Sequence, residues 1–190
     1  FNTTGAQNTA VGRNALYANT TGANNTALGA YAGDAITTGN HNIATGAYAL
    51  SSSTTGSYNV AIGVNALTAN TTASNNTAVG NHALLANTTG GQNTAVGVDA
   101  GDAITSGTGN VCVGYSSGTY GSNLTTGSGN VLIGAYTDST TAGGNQAHGL
   151  GYNLDCAPNY TTLGNHTADI RAHHGVATWA TVSDERYKKD

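Results

Sequence analysis

The sequence predicts an all-β fold, a repetitive β-solenoid or β-roll built from 17-residue coils. Asparagine recurs at Asn8, Asn25, Asn42, Asn59, Asn76, Asn93 and Asn110, with an eighth copy at Asn130. Each is followed four residues on by a glycine: Gly12, Gly29, Gly46, Gly63, Gly80, Gly97, Gly114 and Gly134. The residues between them alternate as strands do, in NTAVG, NTALG, NIATG, NVAIG, NVCVG and NVLIG. A fixed period with alternation inside it implies stacked units, each burying a face against its neighbours.

Alternation assigns two faces. Thr9, Thr26, Ile43, Val60, Thr77, Thr94, Val111 and Val131 share one with Val11, Leu28, Thr45, Ile62, Val79, Val96, Val113 and Ile133. The other is a column of alanines, Ala10 to Ala95, continued by Cys112 and Leu132. So small a column is read here as a place where another chain's backbone comes close. In the second half of each coil, Leu16, Leu50, Leu67 and Leu84 alternate with Gly33, Gly101 and Gly118. Where the leucine is lost, Ile36, Ile104 or Leu124 appears further on, in the place that Asn19, Ser53, Asn70 and Asn87 hold elsewhere. Volume moved but conserved is the mark of a packed interior, so both positions are assigned to it. Each coil closes through Thr-Thr-Gly, as at Thr20 to Gly22 and Thr54 to Gly56, where glycine supplies turn geometry and asparagine favours tight turns. The AL pairs are too brief to nucleate a helix.

Composition narrows the function. Charged residues are 7%, the net charge is −4, and the chain has one Trp and one Phe, so neither a nucleic-acid footprint nor a wide aromatic core is available. No stretch approaches the roughly 18 consecutive apolar residues of a membrane span, and no membrane insertion is expected. Cys112 and Cys156 have no metal-ligand spacing, and Cys112 reads as a small buried hydrophobe. No cofactor is implied. A coil with so few large side chains returns little burial for the entropy of ordering it, which favours association of copies. The preferred arrangement is a parallel homotrimer with the alanine faces inward.

The unit NVAIGVNAL at Asn59 to Leu67, with its sisters, resembles the repeat of trimeric autotransporter adhesin heads, which are β-rolls assembled as threefold bundles. Similar units occur in phage and other viral fibres. The resemblance covers residues 1–136, and the coil here is longer. It implies a parallel trimer of identical chains in a fibre.

Charges concentrate after Asn159, and SDERYKKD at Ser183 to Asp190 resembles the start of the endosialidase-type intramolecular chaperone domain that follows phage tail fibres and tailspikes. That resemblance implies chaperone-assisted trimerisation and, in some members, self-cleavage at a serine helped by a lysine five residues on. Ser183 and Lys188 match that spacing, and a lysine of lowered pKa is a competent base for a serine nucleophile. The expected organisation is seven coils over residues 1–128, an irregular β region over 129–175 with possible receptor-facing loops, and a junction over 176–190 to a chaperone whose body lies beyond it.

Other chemistry is sparse. His173 and His174 are adjacent and prompt a metal ring only if three chains converge, and no metal site is assigned. Asp34, Asp99, Asp102 and Asp138 are placed in turns without the acidic run of a calcium loop. Sequons, Asn19, Asn70 and Asn87 among them, recur simply because Asn-Thr-Thr recurs. The expected function is a virion fibre, in a tail or on the surface, that mediates host attachment. Its partners are two identical chains, a host-cell glycan or protein, and other fibre or baseplate proteins. Tyr152, Tyr160 and His148 are the candidate receptor-binding residues, with Tyr136 and Trp179 nearby in sequence. Two alternatives stand beside it. An ice-binding solenoid would use the Thr ladder, and a glycan-degrading tailspike would need paired carboxylates at defined separation, for which nine acidic residues, mostly in turns and the tail, are poor material.

Overall fold

The computed structural model describes residues 3–167, 169–175 and 180–182. It is an all-β solenoid of about nine coils roughly 17 residues apart. Each coil contributes one short strand: β1 (Thr9–Val11), β2 (Thr26–Leu28), β3 (Ile43–Thr45), β4 (Val60–Ile62), β5 (Thr77–Val79), β6 (Thr94–Val96), β7 (Val111–Val113) and β8 (Val131–Ile133). After β9 (Asp138–Ser139) come β10 (His148–Gly151), β11 (Asp155–Cys156), β12 (Tyr160–Gly164), β13 (Asp169–His173) and β14 (Ala180–Val182). Strands β1 to β8, β10 and β12 stack in parallel, and β13 and β14 add antiparallel to complete one sheet of 12 strands. The register is exact by type, with Ala27 beside Ala44 and Ala44 beside Ala61. Strands β9 and β11 form a second, two-stranded parallel sheet.

Stacking is not confined to strands. Leu67 N–H donates to Ala83 O at 3.0 Å and Thr54 N–H to Thr71 O at 2.8 Å, so the turns also bond coil to coil. Threonine hydroxyls extend this: Thr37 Oγ1 donates to Thr54 O at 3.0 Å and Thr88 Oγ1 to Thr105 O at 3.0 Å.

The recurrent asparagines form a buried ladder. Asn42 Oδ1 accepts the backbone N–H of Asn59 at 3.0 Å, while Asn42 Nδ2 donates to Gly56 O at 2.9 Å. Asn93 repeats this, accepting from Asn110 N–H at 2.9 Å and donating to Gly107 O at 2.8 Å. The repeating asparagine is therefore an interior polar spine. The ladder ends where Asn130 Oδ1 accepts from Ala147 N–H at 2.8 Å. Ala147 opens a further coil that carries β10 and keeps Gly151 in the fourth place, so the stretch beginning at 129 opens with two more coils before the pattern changes. Glycine in that fourth place is obligatory. Gly63 sits at φ 139°, and a Cβ there would strike the carbonyl of Gly80 in the next coil.

The two faces are reversed relative to the expectation from sequence. Ala27, Ala44, Ala61, Ala78, Ala95 and Cys112 are buried inside their own coil, so the alanine column is not a contact between chains. The cause is the narrowness of the coil. A Cβ built on Gly101 would stand 3.7 Å from the Ala95 Cβ, so strand and opposite turn lie close and the strand position is small in most coils, with the larger Cys112 accommodated opposite Gly118.

The interior assignment of the leucine and isoleucine positions holds: Leu50, Leu67, Leu84, Ile36, Ile104 and Leu124 are wholly buried. A Cβ on Gly33 would come 2.9 Å from Ile36 Cδ1 and 3.2 Å from Leu16 Cδ2, so Ile36 fills the space that leucine fills in other coils. The exchange also concerns the backbone. Leu16, Leu50, Leu67 and Leu84 have φ between 51° and 53°, a left-handed conformation that costs a branched side chain about 1–2 kcal/mol, whereas Gly33 and Gly101 occupy it at φ 57° and 59°. Core volume outweighs that strain. Leu50→Gly alone is expected to cost about 2–5 kcal/mol and Ser53→Ile alone about 1–3 kcal/mol. Together they recreate the pattern of Gly33 and Ile36, and chemical unfolding of the double variant should show most of the summed cost recovered. Additive costs would refute the shared interior.

Candidate functional site

The positions singled out in the sequence fall into separate places. Ser183, Lys188 and Trp179 lie outside the described residues. Tyr152, Tyr160 and His148 are described, and each belongs to a different ring contact.

Tyr152 joins a cluster of four tyrosines. Tyr136 is its hub, with ring centroids 5.9 Å from Tyr152, 5.3 Å from Tyr115 and 4.6 Å from Tyr120. The first two contacts are edge-to-face, the geometry favoured by ring quadrupoles. The solenoid supplies the spacing. Tyr136 N–H donates to Tyr115 O at 2.9 Å, which sets the two residues in successive coils. Tyr115 stands where other coils carry Val64 or Val98, and Tyr120 stands at the edge of a three-residue insertion found in that coil. Both departures were visible in the sequence as breaks in the period, yet neither residue was singled out there.

The insertion is held from beneath by Asp138, which is wholly buried in β9 and not in a turn as expected. Its Oδ2 accepts from Ser122 N–H at 3.1 Å, and Ser122 Oγ donates to Thr140 O at 3.1 Å. Leu124 N–H closes the loop onto Gly118 O at 3.0 Å. Tyr120 is thereby carried on an anchored loop. Burial pushes the Asp138 carboxyl up to about 6 from its ordinary 3.8, against backbone N–H groups of Ser139, Ser122 and Asn123 that favour the charged form. The negative charge of Asp155 nearby adds to the rise.

His148 lies on the outer face of β10, with its ring 4.6 Å from that of His174, whose Nε2 is 3.1 Å from Thr161 Oγ1. Beside it runs an apolar groove of about 260 Å³ lined by Val131, Ile133, Leu150, Thr161 and Leu163. Tyr160 makes an edge-to-face contact with His173 at 4.8 Å and lies under the Arg171 guanidinium at 5.4 Å. Among the described residues no group of three metal-ligating side chains converges.

The cysteines are packing elements. Cys112 and Cys156 are free and buried, and burial, reinforced by neighbouring aspartates, pushes both thiols up to about 12. A Cβ on Gly118 would come 2.8 Å from Cys112 Sγ, so that sulfur fills room the glycine leaves.

The outer sheet face is the other notable surface. Val11 is 57% exposed, Leu28 50%, Ile43 41% and Ile62 40%, and the stripe runs on to Leu150. No outward position of β1 to β8 carries a charge. An apolar stripe running the length of the solenoid exceeds what isolated surface residues require.

Asp138 is more basic in the fold than in the unfolded chain, so the folded state binds the extra proton between the two values. Stability should therefore be greatest below pH 3.8 as far as this group is concerned, and should fall as pH rises from about 4 to about 6. Asp138→Asn should flatten most of that slope in thermal unfolding, with a remainder from Asp34 and Asp102, which burial also raises. An unchanged slope would contradict the buried carboxylate. No family model, curated protein or solved structure matches the chain.

Proposed function

We propose that this chain is a length of a homotrimeric viral or phage fibre whose copies lie side by side along the outer sheet face and whose role is attachment to a host cell. The observation that carries the reading is the uncharged aliphatic stripe from Val11 to Leu150. An identical chain placed parallel presents the same coil spacing, about 4.8 Å per strand, and so matches the stripe from end to end. Burying it would return the apolar free energy that single coils lack. The contact face is thus the Val and Ile side of the strands, in place of the alanine side expected from sequence. The resemblance of SDERYKKD to a chaperone junction supports the fibre reading, and Ser183 with Lys188 would act only in releasing that chaperone.

A second reading is favoured by one observation. Thr21, Thr38, Thr55, Thr72, Thr89, Ser106 and Thr126 form an exposed file of hydroxyls along the solenoid, as an ice-binding face would require.

Light scattering decides between them. The wild-type chain should have the mass of three copies. Ile62→Lys with Val96→Lys should be monomeric with an unchanged circular dichroism spectrum, because both side chains are exposed in the single chain. A wild-type monomer that produces thermal hysteresis would overturn the fibre in favour of the ice-binding solenoid.

A further inference from the structure

We infer that the tyrosine cluster of Tyr115, Tyr120, Tyr136 and Tyr152 is a docking platform for a neutral glycan. The inference rests on the attachment reading and names the ligand class for it. Three of the four rings are open to solvent, Tyr115 at 47%, Tyr120 at 51% and Tyr152 at 59%. Rings set at steep angles around Tyr136 place exposed aromatic surface and phenol hydroxyls in one patch, which suits a ligand with C–H surfaces on one side and hydroxyls at its rim.

The platform is built and not incidental to the repeat. Earlier in the solenoid Tyr31 stacks on Tyr48 at 5.1 Å and nearly parallel. The end of the solenoid instead recruits rings from three successive coils and from the insertion. The insertion is anchored at both depth and edge, by Asp138 to Ser122 N–H and by Ser122 Oγ to Thr140 O. Burying a carboxylate to hold this surface insertion opposes stability. A rigid loop that keeps Tyr120 at 4.6 Å from Tyr136 lowers the entropy lost when a ligand settles on the rings.

Charge selects the ligand class. The four side chains are phenols; of the carboxylates that touch the loop, Asp138 is wholly buried beneath it and Asp102, bonded to Thr119, is partly buried. The rings that do have a cation over them, Tyr31 under Arg13 and Tyr160 under Arg171, belong to other contacts. Among the described residues no lysine or arginine contacts these phenols to pair with a sialic acid or uronic acid, which favours uncharged hexoses or N-acetylhexosamines.

Saturation-transfer NMR on the assembled protein tests this, with cellohexaose and chitohexaose as neutral probes and sialyllactose as the charged one. Transfer to at least one neutral probe, at least tenfold weaker in Tyr120→Ala and in Tyr152→Ala at unchanged assembly mass, is the expected result. No transfer to either neutral probe, transfer only to sialyllactose, or undiminished transfer in both variants overturns it. So does a change of assembly mass in either variant, which would make the tyrosines contacts between copies. The mass of the wild-type assembly, measured in the same sample, judges the fibre reading separately.

Discussion

The asparagine ladder is the interaction on which the rest depends. A coil with an interior of methyl groups and one leucine or isoleucine cannot hold itself closed by burial alone. Each ladder amide joins three pieces of chain: it accepts from the next asparagine's backbone, as Asn59 does from Asn76 at 3.0 Å, and donates across its own coil to Ala73 O at 2.9 Å. One side chain thus fixes the vertical register and the closure of the loop. Being buried, it also makes every alternative register costly, because a slipped coil would leave several amide groups unpaired.

With the ladder in place, the remaining design follows from a narrow cross-section. The strand presents alanine inward because the opposite turn is a few ångströms away, and its larger aliphatic residues are therefore forced outward. Ile62 and Val96 are exposed for the same reason that Ala61 and Ala95 are buried. Lateral association along that face is the proposed remedy, and it links the local geometry of one coil to a fibre. At the far end the ladder stops at Ala147, the sheet changes from parallel to antiparallel at β13, and aromatic residues gather. Surface chemistry is concentrated where the repeat gives way.

Much of the fold was legible in the sequence because a 17-residue period leaves few solutions. The exchange of Leu50 and Ser53 for Gly33 and Ile36 was readable as shared volume, and the structure shows those side chains in one interior. Which face turned inward was not readable. Alternation separates two faces without orienting them, and an alanine column suits a tight coil as well as a tight contact between chains. The coil opening at Ala147 was hidden because alanine replaces the asparagine that marks the others. The ladder role of the recurrent asparagines was not readable either: turn propensity is a local property, seen at Asn14 and Asn65, while the ladder bonds join residues 17 apart. Of the candidate site, Tyr152 was named, but its partners Tyr115 and Tyr120 come from another coil and an insertion, and only the stacking brings them to it.

The ladder is tested most directly by thermal unfolding and amide hydrogen exchange of Asn93→Ala. That change strips the acceptor from the Asn110 N–H and the donor from Gly107 O, both in the interior. The account predicts a loss of about 3 kcal/mol or more, with protection of the Asn110 amide falling first, while Thr94→Ala on the outer face changes little. Asn93→Ala unfolding at the wild-type temperature with Asn110 still protected would contradict the claim that this ladder holds the coils in register.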